Sequence, residues 1–455
     1  MRHTRNSPPS TDRALTMTTS NNATFSGADP SWANACVGNN GNPGYIEYSK
    51  GFSAAANILI EQVLAGRGLD LPVDDLVYPV CFNMRHSVEL RLKGAIQELA
   101  DIAEIQSQPF VFDLSGSHDI GNIWNFFKSQ SELLDERYIE VNKSINSTIS
   151  DIAAVDATGQ TFRYPVSNES QKHLTEIALI NFFLLKNKFG ELEKNLDTLH
   201  SLNLWLKQEY QQGTFTSKLS RPKIYELARA LPPKSEWSHP QFTVTKKELM
   251  KTYNLGSRDL TKAIDKIKNH YFLSYLIGAP LPIKGISEDQ ILSFFENWTS
   301  QNSDTEEESK PSLGIDYWER KESIIDDIKK QAESQQATWS KFEKLMTPDF
   351  LAGLHALYYF ARDKTYTEYY DTAYELASKE IAHEFKCGPA AVRDSFMHIH
   401  NKTNAASNIL ISLFALGHKD LAETIIRKHT LDTSLHWIEK ARSGQLFSYP
   451  EFAKY

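Results

Sequence analysis

Disulfide chemistry has almost no material in this chain of 455 residues: Cys36, Cys81 and Cys387 are its only cysteines, odd in number and far apart. That argues against a disulfide framework and fits a reducing cytoplasm, the expected location. Positive charge is also short. Lys and Arg total 49 against 57 Asp and Glu, a net charge of −8, which excludes a globally basic nucleic-acid binder but not a local basic patch. No run reaches the ~18 apolar residues that a membrane span needs. The longest apolar patch, ALINFFLL (178–185), reads as part of an amphipathic helix. The N-terminus, MRHTRNSPPSTDRALTMTTSNN, lacks the apolar stretch of a secretory signal. Gly-rich phosphate loops, a nucleophile elbow and paired metal carboxylates are missing, so no metal and no cofactor is expected.

What is present is helical periodicity. Residues 1–44 are rich in Ser, Thr, Asn, Gly and Pro and read as a disordered segment, with Met17 as an alternative start residue. Beyond them, apolar residues recur at steps of three and four. They do so at Phe52, Ala55, Ala56, Leu59, Ile60 and Val63, and again at Val80, Met84, Val88, Leu92, Leu99 and Ile102. Pro79 suits the first turn of that second helix, and Ser117 suits the N-cap of a third. TFRYPVSNES (161–170) has no helical period and reads as a loop or short β ribbon. Residues 171–212 are the most regular part. Phe189, Leu192, Leu196, Leu199, Asn203 and Leu206 form a heptad-like seam with one polar member, as in a long antiparallel helix pair. Residues 243–278 read as helix, turn, helix, with Ser257 as the second N-cap. QNSDTEEESKPS (301–312) reads as an acidic linker, and helical periodicity returns after it, with aromatic-rich LAGLHALYYFAR at 351–362.

The stretch CFNMRHSVELRLK (81–93) places Arg85, Glu89 and Lys93 one turn apart on a single helix face, with His86 beside them. Such a row is either a solvated charge ladder, a buried polar lock between helices, or one wall of a site. His118-Asp119, at the head of a helix, and Arg163-Tyr164 are the nearest further polar clusters.

The strings YPVCFNMRHSVELRLKGAI, SHDIGNIW and FRYP together resemble a pattern in bacterial proteins with a HEPN-like helical domain, over about residues 45–215. LSRPKIYELARALPPKSEW (219–237) resembles the continuation of such proteins. The resemblance implies an all-α HEPN-like bundle, a defence or toxin setting, RNA as partner and a homodimer. HEPN domains that cleave RNA carry an Arg followed, after four to six residues, by a His. Here positions 90 to 92 are Leu, Arg and Leu, and His86 adjoins Arg85 instead. In such a site a His moves a proton to or from the ribose 2′-OH or the leaving oxygen, and an Arg stabilises phosphate charge. Arg85, His86, Glu89, Lys93, His118 and Arg163 are the candidates for these roles.

A literal match to the spacing occurs elsewhere, at RDSFMH, with Arg393 and His398. The bland alternative there is a helix surface after Gly388-Pro389. His383 and Cys387 at i and i+4, followed by His398 and His400, invite a zinc reading, yet the spacing matches no zinc motif. TKKELMKTYNLGSRDLTKAIDKIKN (245–269) carries seven cations against three carboxylates and looks like a helix–turn–helix, with Arg258, Lys262 and Lys266 placed for nucleic acid. The alternative is an ordinary hairpin with solvated lysines.

The expected organisation is a disordered segment (1–44), a HEPN-like helical domain (45–215) and a helical extension (216–300). An acidic linker (301–312) and a C-terminal helical domain (313–455) follow. The leading expectation is an RNA- or nucleotide-directed protein, with metal-independent endoribonuclease as the activity to test. A non-enzymatic helical adaptor that binds a protein partner, and a DNA-binding regulator acting through 245–269, stay open beside it.

Overall fold

The computed structural model describes residues 22–66, 72–167, 169–302, 321–362, 364–446 and 449–454. Among them it holds seventeen α-helices, four short 3-10 helices and no strand, so the described residues are all-α as expected. One isolated antiparallel bridge joins Val166 to Lys172 in the irregular segment where a loop or short β ribbon was expected. Among the described residues, no helix is long and apolar enough to cross a membrane. Residues 22–44 are almost wholly exposed and hold one 3-10 turn, Ser31–Ala33. Met17 lies outside the described residues, as does the 301–312 stretch from residue 303 onward.

The chain forms two compact units. One holds the residues up to Gly94 together with Gly159–Phe182, and the other holds Ala95–Thr158 and Phe183–Tyr455.

In the first unit, α1 (Tyr45–Ala65) buries Ala56 and Ile60 completely, with Phe52 and Leu59 partly covered on the same face. The Gly44 N–H donates to the Glu47 carboxylate at 2.8 Å and closes the first turn. The next helix, α2 (Val73–Ile105), begins earlier than its periodicity suggests, with Asp74 and Asp75 favouring the positive end of the helix dipole. Pro79 therefore falls inside the helix rather than in its first turn, at the cost of one helical hydrogen bond. The regular pattern read over 171–212 also starts too early. Ser170 and Leu174 have φ of 59° and 58°, which a right-handed helix cannot hold. The helix begins only at Phe182, so the first half of ALINFFLL is irregular and Leu179 is 93% exposed.

In the second unit, α3 (Ile120–Leu134) is capped by Asp119, whose carboxylate accepts from the Asn122 N–H at 2.9 Å. Sequence spacing had pointed to Ser117. A tight turn leads to α4 (Tyr138–Asp156), and α5 (Phe182–Gln211) carries the heptad-like seam. Leu192, Leu196, Leu199 and Leu206 are buried there. Its polar member, Asn203, is fully buried, accepting from the Tyr138 hydroxyl at 2.7 Å and donating to Glu98 at 2.7 Å. One amide thus ties α2, α4 and α5 together.

Four helices follow: α6 (Arg221–Ala230), α7 (Gln241–Thr252), α8 (Ser257–Lys268) and α9 (Tyr271–Leu276). They share a core built on Ile224, Leu227, Leu249, Leu260 and Ile264. The cap of α8 is Gly256, one residue before the expected Ser257, with the Asp259 carboxylate accepting from its N–H at 3.4 Å.

The remaining helices are α10 (Glu288–Asn302), α11 (Lys321–Phe342), α12 (Pro348–Phe360), α13 (Tyr369–Cys387) and α14 (Pro389–His400). They are followed by α15 (Ala405–Ala415), α16 (Lys419–Lys428) and α17 (Ile438–Arg442). Phe294 and Phe295 of α10 belong to the same core as Phe350 of α12 and Phe396 of α14. Side chains from both sides of the acidic stretch therefore pack together. The loop at 284–286 lies directly on α12. A methyl at Gly353 would sit 2.6 Å from the Lys284 carbonyl, and one at Gly285 would sit 2.3 Å from the Asp349 carbonyl.

Candidate functional site

The charge row on α2 is buried, so the solvated ladder does not apply. Arg85 and Glu89 are each 3% exposed and Lys93 is 4% exposed. Helical spacing stacks the three, and one carboxylate serves both cations. Arg85 Nη1 bonds Glu89 Oε2, and Lys93 Nζ lies 3.0 Å from Oε1. The chain turns back over this cluster at Gly159. Its φ is +77°, and a methyl there would lie 3.1 Å from Arg85 Nη1, so both conformation and space call for glycine.

His86 differs from its neighbours. Its side chain keeps 30% exposure, with Nδ1 3.8 Å from the Glu89 carboxylate. Its ring stacks on Phe82, centroids 5.7 Å apart and planes within 9°, and meets Phe52 edge-on at 4.4 Å. The Arg163 guanidinium stands over Phe82 at 5.7 Å and over its neighbour Tyr164 at 5.3 Å. His86, Phe82, Arg163 and Tyr164 thus form a run of planar groups in contact.

That run ends at an open cavity of about 800 Å³ in the first unit, lined by Tyr78, Arg163, Tyr164, Lys172 and His173 among others. Arg163 and Lys172 set two cations in its wall against one carboxylate, Asp74. His173 adds a buried Nε2 that has no hydrogen-bond partner among the described residues. Planar rings, a guanidinium and an ammonium around one opening suit a ligand with a flat face and a negative charge.

Of the other candidates, His118 is exposed just ahead of α3, in the second unit. Arg393 and His398 share α14 but lie about 140° apart around it at five residues' spacing. No hydrogen bond joins them among the described residues. His398 is exposed and bonds the Tyr359 hydroxyl at 3.1 Å. His383 and Cys387 stand 3.8 Å apart, and His400 is buried against Asn297 at 2.8 Å. Among the described residues no group of three or more His, Cys, Asp or Glu could hold a metal ion. Arg258, Lys262 and Lys266 form an exposed row on α8, opposite buried Leu260, Ala263, Ile264 and Ile267.

The second unit also holds a polar centre that sequence spacing does not reveal. Arg221 is 1% exposed and pairs with Glu368 through both guanidinium nitrogens, Nη2 at 3.1 Å. His270 Nε2 lies 3.2 Å from the same carboxylate and 3.2 Å from the Thr367 hydroxyl, and the Tyr225 hydroxyl is 3.1 Å from Arg221. Burial pushes the Glu368 carboxyl up, but the Arg221 and His270 beside it win and hold it well below the usual range. The only trace in the sequence is Tyr225 one helical turn after Arg221.

Comparison of the chain with protein-family models, with curated proteins and with solved structures finds no match.

Proposed function

We propose that this chain is an RNA- or nucleotide-directed helical protein whose ligand enters the cavity of the first unit. The observation that carries the reading is the Arg163 guanidinium, which stands over Phe82 and Tyr164 and lines a cavity that Lys172 and His173 also line. A base would stack on the planar groups, and the phosphate would meet the two cations. The HEPN-like resemblance of 45–215 agrees with this reading and supplies its defence or toxin setting. The buried Arg85, Glu89 and Lys93 act as scaffold for the wall in this reading, not as groups that touch the ligand. His173 is then the nitrogen in the cavity free to exchange a proton with a ribose hydroxyl, and metal-independent cleavage would run through it.

The test is anisotropy with labelled single-stranded RNA, run beside cleavage of total RNA in EDTA. Arg163→Ala with Lys172→Ala is expected to weaken binding by about tenfold or more, with a reduced salt slope. Cleavage, where seen, is expected to disappear in His173→Ala and to survive Arg393→Ala/His398→Ala. RNA binding that is absent, or indifferent to Arg163 and Lys172, refutes the proposal.

A second reading rests on α8. Its exposed row of Arg258, Lys262 and Lys266 favours contact with duplex DNA phosphates. Duplex affinity that falls steeply with salt and drops in Lys262→Ala would support it. The burial of Arg85, Glu89 and Lys93 is equally compatible with the non-enzymatic adaptor, in which that cluster serves helix packing alone.

A further inference from the structure

A second cavity lies in the other unit, between α12 and α13, with a volume of about 530 Å³. That is ample for a small molecule. Small residues keep it open: Ala356 on one helix faces Ala373 and Ala377 on the other. The aromatic-rich stretch 351–362, which no part of the functional reading uses, supplies one wall through Tyr359. Tyr369 and Leu376, 39% and 62% exposed, form the other.

The polar groups that line this cavity are His355, Glu380 and the hydroxyls of Tyr359, Tyr369 and Thr372, and the carboxylate is the one charged group among them. His355 is 7% exposed and points Nε2 at the Ser395 carbonyl, 3.1 Å away. The Ser395 hydroxyl lies 3.2 Å from the same nitrogen, and in the tautomer that donates Nε2–H to the carbonyl, Nδ1 keeps the lone pair. Burial holds this imidazole below its ordinary pKa, in the neutral form that can accept. Glu380 lines the same cavity and, among the described residues, forms no ion pair. Its carboxylate lies near enough to act on His355 through its charge. The tyrosine ring faces add negative potential. The Arg362 guanidinium already stands 5.4 Å from the Tyr359 centroid, so this ring attracts a cation.

We propose that the α12–α13 cavity binds a small organic ammonium ion carried on an apolar or aromatic body. The N–H groups meet Glu380 and His355 Nδ1, and the body lies against Leu376 and the tyrosine rings. An anion of the same shape would face a carboxylate and a lone pair, so charge sign is the discriminating property.

The experiment is calorimetric titration of the full chain near neutral pH with phenethylammonium, and separately with 3-phenylpropionate, which has a similar shape and the opposite charge. Saturable binding of the ammonium ion is expected, at least about tenfold tighter than the carboxylate. Glu380→Gln alters an exposed side chain and is expected to weaken the ammonium ion by about tenfold. Ala373→Leu, which fills the cavity, is expected to abolish binding while the thermal unfolding transition persists. Equal affinity for both probes, or unchanged binding in Glu380→Gln, overturns the proposal. So does the absence of saturable heat up to about 10 mM, a level within reach of a ligand of about nine non-hydrogen atoms at ordinary efficiency.

Discussion

His400 offers a quantitative test of burial in the C-terminal helices. Its ring is 1% exposed, packed against Phe294 and Phe396 at 5.5 and 5.7 Å, and bonds Asn297 at 2.8 Å. Burial pushes the imidazole down from 6.5 to about 4. The unfolded chain therefore takes up this proton near pH 6.5, while the folded chain holds it off until about pH 4. A lowered pKa in the folded state means that the stabilisation is complete above 6.5 and is lost as pH falls toward 4. Between pH 7 and pH 5 the loss works out at about 2 kcal/mol from this residue alone. His400→Phe keeps a ring in the pocket and removes the titration. It leaves the Asn297 amide short of one partner, a pH-independent cost of about 1–3 kcal/mol. Urea unfolding of both proteins at pH 7, 6 and 5 gives the gap in stability between them. The other buried histidines are common to both and cancel. The gap is expected to shrink by about 2 kcal/mol as the pH drops to 5. A gap that stays constant over that range refutes the reasoning.

Glu368→Gln behaves differently, because its carboxyl is held well below the ordinary range. Its gap to wild type is expected to hold or widen from pH 7 to 5, because His270 loses the carboxylate that favours its protonation, and to close only as the pH falls below the ordinary carboxylate value of 4.5. Narrowing already at pH 6 would contradict the pairing with Arg221. Glu89→Ala takes the carboxylate from between two buried cations and is expected to cost about 3–5 kcal/mol in urea unfolding. Asp101→Asn, at the exposed Lys207–Asp101 pair, is expected to cost less than about 1 kcal/mol, and equal losses would sink the burial argument. Gly353→Ala drives a methyl to 2.6 Å from the Lys284 carbonyl. Calorimetry is expected to show a lower Tm, equivalent to about 1–3 kcal/mol, and an unchanged Tm would mean that the 284–286 loop yields freely.

The helices were legible because burial and period agree. The seam on α5 is the clearest case. Its leucines and even its polar member, Asn203, turn inward, because the same spacing that marks a face also sets it against neighbours. Ends were less legible. Asp74 and Asp75 outweighed Pro79 as the start of α2, and positive φ at Ser170 and Leu174 cut the pattern that periodicity carried back to residue 171. The alignment of Arg85, Glu89 and Lys93 follows from helical spacing, but their burial does not, since it comes from residues distant in sequence, such as Gly159 against Arg85. The cavity beside Arg163 needs Tyr78 and His173 brought together, and the centre around Glu368 needs Arg221 and His270. Neither leaves a local signal, because each is closed by contacts over long sequence separations.

The Arg221–Glu368 pair has a consequence for how the chain can be made and divided. The partners are 147 residues apart. At about 5–20 residues per second, a ribosome delivers the carboxylate roughly seven to thirty seconds after the guanidinium it neutralises. Until then α6 and the N-cap of α9 hold an Arg and a His prepared for an anion that has not been synthesised. The packing of the segment near residues 219–277 is therefore completed only when α13 arrives. A cut in the acidic stretch would make that delay permanent, and the two fragments are expected to be soluble together and not apart.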